Sequence, residues 1–175
     1  MDLLKSLKQY INSQKAISFY FMIFGFLLLC LSTGAFFLAT DDLLVNGMFW
    51  ALLFSGIIAL LSGLLYGKKN AAVIINNENI YNNNKALFLK NESLRMDDTL
   101  KNHSTFQTIF TLIIILIVGV IISFNNPFLV GICIVISLFF SGILIIVAMS
   151  KPSKIEYYEE LREAHNSNFI LQDID

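Results

Sequence analysis

Residues 67–104 read GKKNAAVIINNENIYNNNKALFLKNESLRMDDTLKNHS, the longest polar stretch of the chain and the place of six of its 12 Lys and Arg residues. Outward from it the chain turns apolar in both directions. Blocks at 16–39 and 43–66 precede it, and blocks at 106–124 and 127–149 follow it; none contains Asp, Glu, Lys, Arg or His. A hydrocarbon core of ~30 Å needs ~20 helical residues, so each block is long enough to span. Backbone groups in lipid must be satisfied within their own segment, which makes the blocks helices. The third block is the shortest, and Gln107, Thr108 and Thr111 make its start the most polar part of any span. A composition of 56% apolar and 14% charged residues over 175 positions is too apolar for an ordinary soluble domain.

The predicted fold class is an all-α integral membrane protein: four transmembrane helices in two antiparallel hairpins, with amphipathic cytoplasmic helices. The expected order is a lead-in at 1–15, a hairpin at 16–66, an inner segment at 67–104, a second hairpin at 105–149 and an acidic tail helix at 150–175. A cleaved leader is not expected, because the first apolar run exceeds the usual ~7–15 residues and three more spans follow. Leu27–Cys30 is a poor lipoprotein box, with Leu29 where a small residue belongs.

The net charge of −1 conceals an asymmetry. All Lys and Arg fall at 5–15, 68–101 and 151–162, and the loops at 40–42 and 125–126 have none. An even number of spans puts the three basic regions on one face, and the positive-inside rule makes that face cytoplasmic. The expected location is a bacterial cytoplasmic membrane, with both termini inside.

Small residues recur along two spans. Ser55–Gly56 is repeated at Ser62–Gly63, and Gly63 and Gly67 form a G-x-x-x-G; Ser137, Ser141 and Gly142 mark a similar seam in the fourth span. Such spacing lets two backbones approach closely, within this bundle or across a dimer. Asn125–Asn126–Pro127 reads as a tight turn with Pro at the first helical position, and Asp41–Asp42 as a cap for the second span.

The polar segments carry helical signals of their own. Asp2 can cap a surface helix in which Leu3, Leu7, Tyr10 and Ile11 share a face. Gly67–Lys68–Lys69–Asn70 is expected to stop or loosen the second span, and the Asn-rich run at 76–84 to form a turn or mobile loop. Leu89, Ser93, Met96 and Leu100 form a stripe on a helix leading into the third span. In the tail, Ser153 and Glu156 fit a capping box, and Glu156, Glu159, Glu160 and Glu163 share one face. Residues 67–104 carry +2 and 151–175 carry −3. The tail is therefore expected to dock beside the basic segments, its glutamates towards Lys90, Arg95 and Lys101. The two halves of the chain share this outline, which would make a parallel repeat.

No catalytic residues, cofactor-binding residues or metal ligands are predicted. No Asp, Glu, Lys, Arg or His lies within a span, where one would mark a proton relay or a haem ligand. Cys30 and Cys133 lie in spans without a Cys-x-x-Cys, and His103 and His165 lack metal-site spacing. No phosphate-cradling Gly loop occurs. The outline is similar to that of several groups of small four-span proteins, membrane-embedded immunity proteins among them, a likeness of architecture alone. The leading expectation is a non-enzymatic protein acting through protein–protein interaction in the membrane, as a toxin-immunity protein or an accessory subunit. Its partners would be the bilayer and a membrane protein or its own copies, with no nucleic acid. The alternatives are an oligomeric channel or small-solute transporter, and a lipid-acting enzyme using His103, His165 or the tail glutamates.

Overall fold

The computed structural model describes residues 3–38 and 42–172. They form five helices: α1 (Leu3–Leu38), α2 (Leu43–Asn83), α3 (Lys85–Ser123), α4 (Pro127–Met149) and α5 (Lys151–Gln172). No strand occurs among the described residues. The apolar stretches of α1 to α4 are each long and apolar enough to cross a membrane, so the chain is a multi-pass membrane protein.

Three helices are far longer than a span. α1 has 36 residues, α2 41 and α3 39. At ~1.5 Å per residue, 41 residues reach ~60 Å, about twice the ~30 Å of hydrocarbon. Each span therefore continues without a break into the polar segment beside it. This corrects three expectations. The lead-in is not a separate surface helix but the first turns of α1, and Gly67–Asn70 does not stop the second span. Nor is the Asn-rich run a loop: α2 passes through Asn76, Asn77, Asn79, Asn82 and Asn83. Asn disfavours a helix by well under ~1 kcal/mol relative to Ala, which packing overrides. Here Asn77 is buried, and Val73, Ile80 and Tyr81 pack on a core.

The break falls at Asn84, where φ is −155° and ψ 99°. Its N–H donates to the Ile80 carbonyl at 2.8 Å, and its side chain accepts from Leu87 N–H at 2.9 Å. One residue thus ends α2 and caps α3. Asp42 caps α2 through Leu44 N–H at 2.8 Å. Asn126 caps α4 through Phe128 N–H at 3.0 Å, with Pro127 at the first turn. Asp2 and Asp41 lie outside the described residues. The tail differs from expectation: α5 starts at Lys151, directly after Ser150, so Ser153 sits inside the first turn instead of capping it. Its hydroxyl donates to the Ser150 carbonyl at 3.2 Å and accepts from Gln14 Nε2 at 3.1 Å.

Two cores follow. The first joins Leu3, Leu7, Tyr10 and Ile11 of α1, Phe88, Leu89 and Met96 of α3, and Tyr157 and Leu161 of α5. This polar cap gathers the three basic regions at one end of the molecule. The second core lies among the spans and joins Leu28 with Ala51, Leu52, Ala59, Val135 and Phe139 of α1, α2 and α4. α1 and α2 meet in opposite directions, from Lys8 at Glu78 through Ser18 at Gly63 to Ser32 at Phe49. At the end away from the cap, Gly47 and Gly131 bring α2 and α4 together against Phe128 and Leu44. The apolar part of α3 is different: its most apolar 18-residue window has no buried residue. Phe110 against Phe140 of α4, centroids 5.3 Å apart, is its ring contact with the bundle.

Candidate functional site

The small-residue seam is consumed inside the chain. A Cβ on Gly25 would lie 2.7 Å from Leu60 N and 2.8 Å from the Gly56 carbonyl oxygen. One on Gly63 would lie 2.9 Å from the Ser18 carbonyl oxygen, and one on Gly67 2.8 Å from Ser18 Oγ. Ser18 in turn donates to the Gly63 carbonyl at 2.6 Å. Ser55 is buried, and Gly142 abuts the Phe24 ring. Ser141 donates to the Ser137 carbonyl at 2.8 Å, while Ser137 Oγ is buried without a partner among the described residues. Ser62 alone of the seam is exposed, beside the cleft described below.

The cap is organised by a buried carboxylate. Glu92 of α3 is 2% exposed. It accepts from Asn77 Nδ2 of α2 at 2.9 Å, from Arg95 Nε at 2.8 Å and Nη2 at 2.5 Å, and from the Tyr157 hydroxyl of α5 at 3.1 Å. Tyr157 stacks on Tyr10 of α1 at 4.8 Å and 7°, and the Arg95 guanidinium lies 5.8 Å over the Tyr10 ring. One carboxylate thus ties three helices, and the aromatic stack adds the fourth. Burial pushes the Tyr10 phenol up to about 12. Burial raises Tyr157 as well, reinforced by the Glu92 charge. For Arg95 burial works downward, but the bonds and charge of Glu92 outweigh it and hold the guanidinium protonated.

The expected docking residues are distributed differently. Arg95 pairs with Glu92 on its own helix. Lys90, Lys101, Glu156, Glu159 and Glu163 are exposed. Glu156 and Glu160 line a groove of ≈ 170 Å³ with Ser6, Gln9 and Ser13 of α1. α5 meets α3 through Tyr157 and Leu161, and the Tyr158 hydroxyl donates to Asp97 at 3.4 Å. Its seating rests on an apolar and aromatic stripe. Gln14 adds a junction: it is 1% exposed, accepts from the Tyr66 hydroxyl at 2.7 Å and donates to Ser153, tying α1, α2 and α5.

Below this junction, between the α1–α2 pair and α3, lies a cleft of ≈ 460 Å³. Its polar end carries Lys69, Asn102, His103, Ser150 and Lys154; its apolar end carries Ile17, Phe21, Phe106, Phe110 and Val147. No Asp or Glu lines it. His103 is 4% and Lys154 8% exposed, and Lys154 Nζ stands 3.3 Å from His103 Nδ1. An ammonium only donates, so Nδ1 accepts and the ring proton sits on Nε2. That N–H is buried with no acceptor among the described residues. Burial lowers both pKa values, and the charges of Lys154 and Lys151 lower His103 further.

Sequence reasoning passed over Glu92, Asn77, Tyr157, Gln14, Lys154 and the setting of His103. A signal existed on α3, where Glu92 and His103 fall on the same helical stripe as Leu89 and Met96. A charged residue on an apolar stripe must find a partner when the stripe is buried. No group of three or more His, Cys, Asp or Glu able to hold a metal occurs among the described residues. Comparison with known protein families, curated proteins and solved structures finds no match to this chain.

Proposed function

We propose that the protein is a non-enzymatic accessory or immunity-type subunit that works by binding another membrane protein within the bilayer, through the span of α3. One observation carries this reading. The polar half of α3 is anchored in the cap by Phe88, Leu89, Glu92 and Met96, whereas its apolar window has no buried residue and is half-buried along one face alone, at Phe110, Ile114, Ile117 and Ile121. Leu116 and Ile122 are 70% and 79% exposed, and a Cβ on Gly119 between them would meet nothing within 4 Å. The other glycines on span helices are filled by neighbours, Gly34 excepted. Lipid tails are as apolar as Leu, so membrane helices associate where small residues permit close packing. A rigid helix with one unpacked face and a glycine at its middle suits a partner's transmembrane helix.

Both termini and the cap are assigned to the cytoplasm, in a bacterial cytoplasmic membrane, because all the Lys and Arg lie at the cap end. Photo-crosslinking residues at 116 and 122 test the function. They are expected to give a stoichiometric adduct with a distinct membrane protein, while the same residue at the exposed Leu31 of α1 gives none. Adducts with a second copy would favour the channel or transporter reading. Adducts with lipid alone at all three sites would reject the proposal.

A further inference from the structure

The cleft at the cap's lower edge is not needed by that reading, yet it is built. Its charged groups are Lys69, His103 and Lys154, all basic or neutral, and no carboxylate among the described residues pairs with Lys154. Lys154 and His103 both line the cleft, and a buried ammonium beside an imidazole whose Nε2–H has no partner leaves a strong demand for an acceptor. Where the helices place this demand also matters. His103 lies three residues before the apolar block at 106–124, Lys69 three after that at 43–66, and Lys154 five after that at 127–149. At ~1.5 Å per residue these are ~5–8 Å beyond the block ends. The headgroup layer of a bilayer occupies about the same ~5–8 Å on each side of the hydrocarbon.

We propose that the cleft binds the phosphate of an anionic phospholipid, with His103 Nε2, Lys154 and Lys69 donating to its oxygens. The first carbons of one acyl chain lie between Phe106, Phe110, Phe21 and Val147. The chemistry on each side of the cleft supports this division. Charge-assisted donors recognise a phosphate oxyanion, and a site with three basic groups and no acid disfavours the cation of a zwitterionic headgroup. The apolar end would be wasted on inorganic phosphate. The volume falls within the ~300–1,000 Å³ of ordinary ligand sites, enough for a headgroup and part of a chain.

The test uses the full chain purified in detergent, with lipid retention read by native mass spectrometry. Phosphatidylglycerol is expected to stay bound one to one, and phosphatidylcholine to be lost under the same activation. Lys69→Ala, His103→Gln and Lys154→Met should each lower phosphatidylglycerol retention, by about ten-fold where a charge-assisted bond is removed. Lys69 is exposed, so its variant keeps the test decisive if a buried substitution prevents folding. Equal retention of both lipids, or retention unchanged in the variants, would overturn the proposal. Displacement of the lipid by inorganic phosphate would identify a free-anion site and overturn the lipid assignment. Absence of any retained ligand would mean that water satisfies Nε2, and would overturn it too.

Discussion

At the scale of single residues, the cap depends on Glu92. Its carboxylate receives three donor residues from three helices and is nearly inaccessible. Removing it leaves the buried Asn77 and Tyr157 donors without an acceptor, at about 1–3 kcal/mol each, beside the half-buried Arg95, which keeps access to water. Glu92→Ala is therefore expected to lower the thermal midpoint by about 10 °C, at the ~2–4 °C per kcal/mol usual for a chain of this size. Tyr157→Phe, which removes one hydrogen bond to a charged acceptor, should cost about 1.5–3 kcal/mol. Circular dichroism melts in detergent measure both, and a Glu92→Ala midpoint equal to wild type would show that the network does not hold the cap. His103 gives a pH dependence with a definite sign. Lys154 and Lys151 face it, Lys69 lines the same cleft, and its folded pKa is lowered by burial and then by the two lysine charges. The unfolded chain takes up the proton first, near pH 6.5, so stability is full above that pH and falls as pH drops towards the folded value. In lipid-free detergent the melting midpoint should decline as the pH falls below about 6.5. His103→Gln should flatten that decline, and an unchanged slope would contradict it.

At the scale of helices, what was legible and what was not divides along physical lines. The spans are legible because ~20 apolar residues in lipid leave the backbone one choice. Asn126–Pro127 and Asp42 are legible because capping is local chemistry. The continuity of α2 through its Asn run is not local: it depends on Asn77 finding Glu92, 15 residues further on, and the pairing of Glu92 with Tyr157 spans 65 residues. Neither partner can be chosen from spacing. The glycines test how the helices pack. A side chain at Gly25 would collide with the backbone of Leu60 and Gly56, which belongs to a facing helix and cannot rotate away. Gly25→Val is expected to destabilise by about 1–3 kcal/mol or to separate α1 from α2. Gly119→Val should leave the melt unchanged, since its surroundings are open. If it binds a partner helix as proposed, the same substitution should abolish the crosslink at residue 116. A large loss of stability at Gly119, or none at Gly25, would reverse the assignment of packed and open faces.

At the scale of the whole molecule, the cap sits at one end of the long helices, and Asp42 and the turn between α3 and α4 at the other. The basic regions at 5–15, 68–101 and 151–162 come together in the cap, while Asn125 and Asn126 lie at the far end with Asp42. Gathering was not required by the charges themselves. Lys8 to Glu78 at 3.0 Å is an exposed pair, and such pairs contribute only ~0–1 kcal/mol. The apolar stripe and the Glu92 network assemble the cap, and its lysines other than Lys154 lie on its surface. Their effect belongs to insertion: basic segments resist export, so the cap should remain cytoplasmic. Single cysteines test this in a chain whose Cys30 and Cys133 are replaced by Ala. Asn125→Cys, in the exposed turn between α3 and α4, should react with an impermeant maleimide on intact cells. Lys90→Cys, exposed on the cap, should react only after permeabilisation. The opposite pattern would invert the molecule and put the His103 cleft in the outer leaflet. Labelling of both sites in intact cells would mean that the long helices do not cross as four spans.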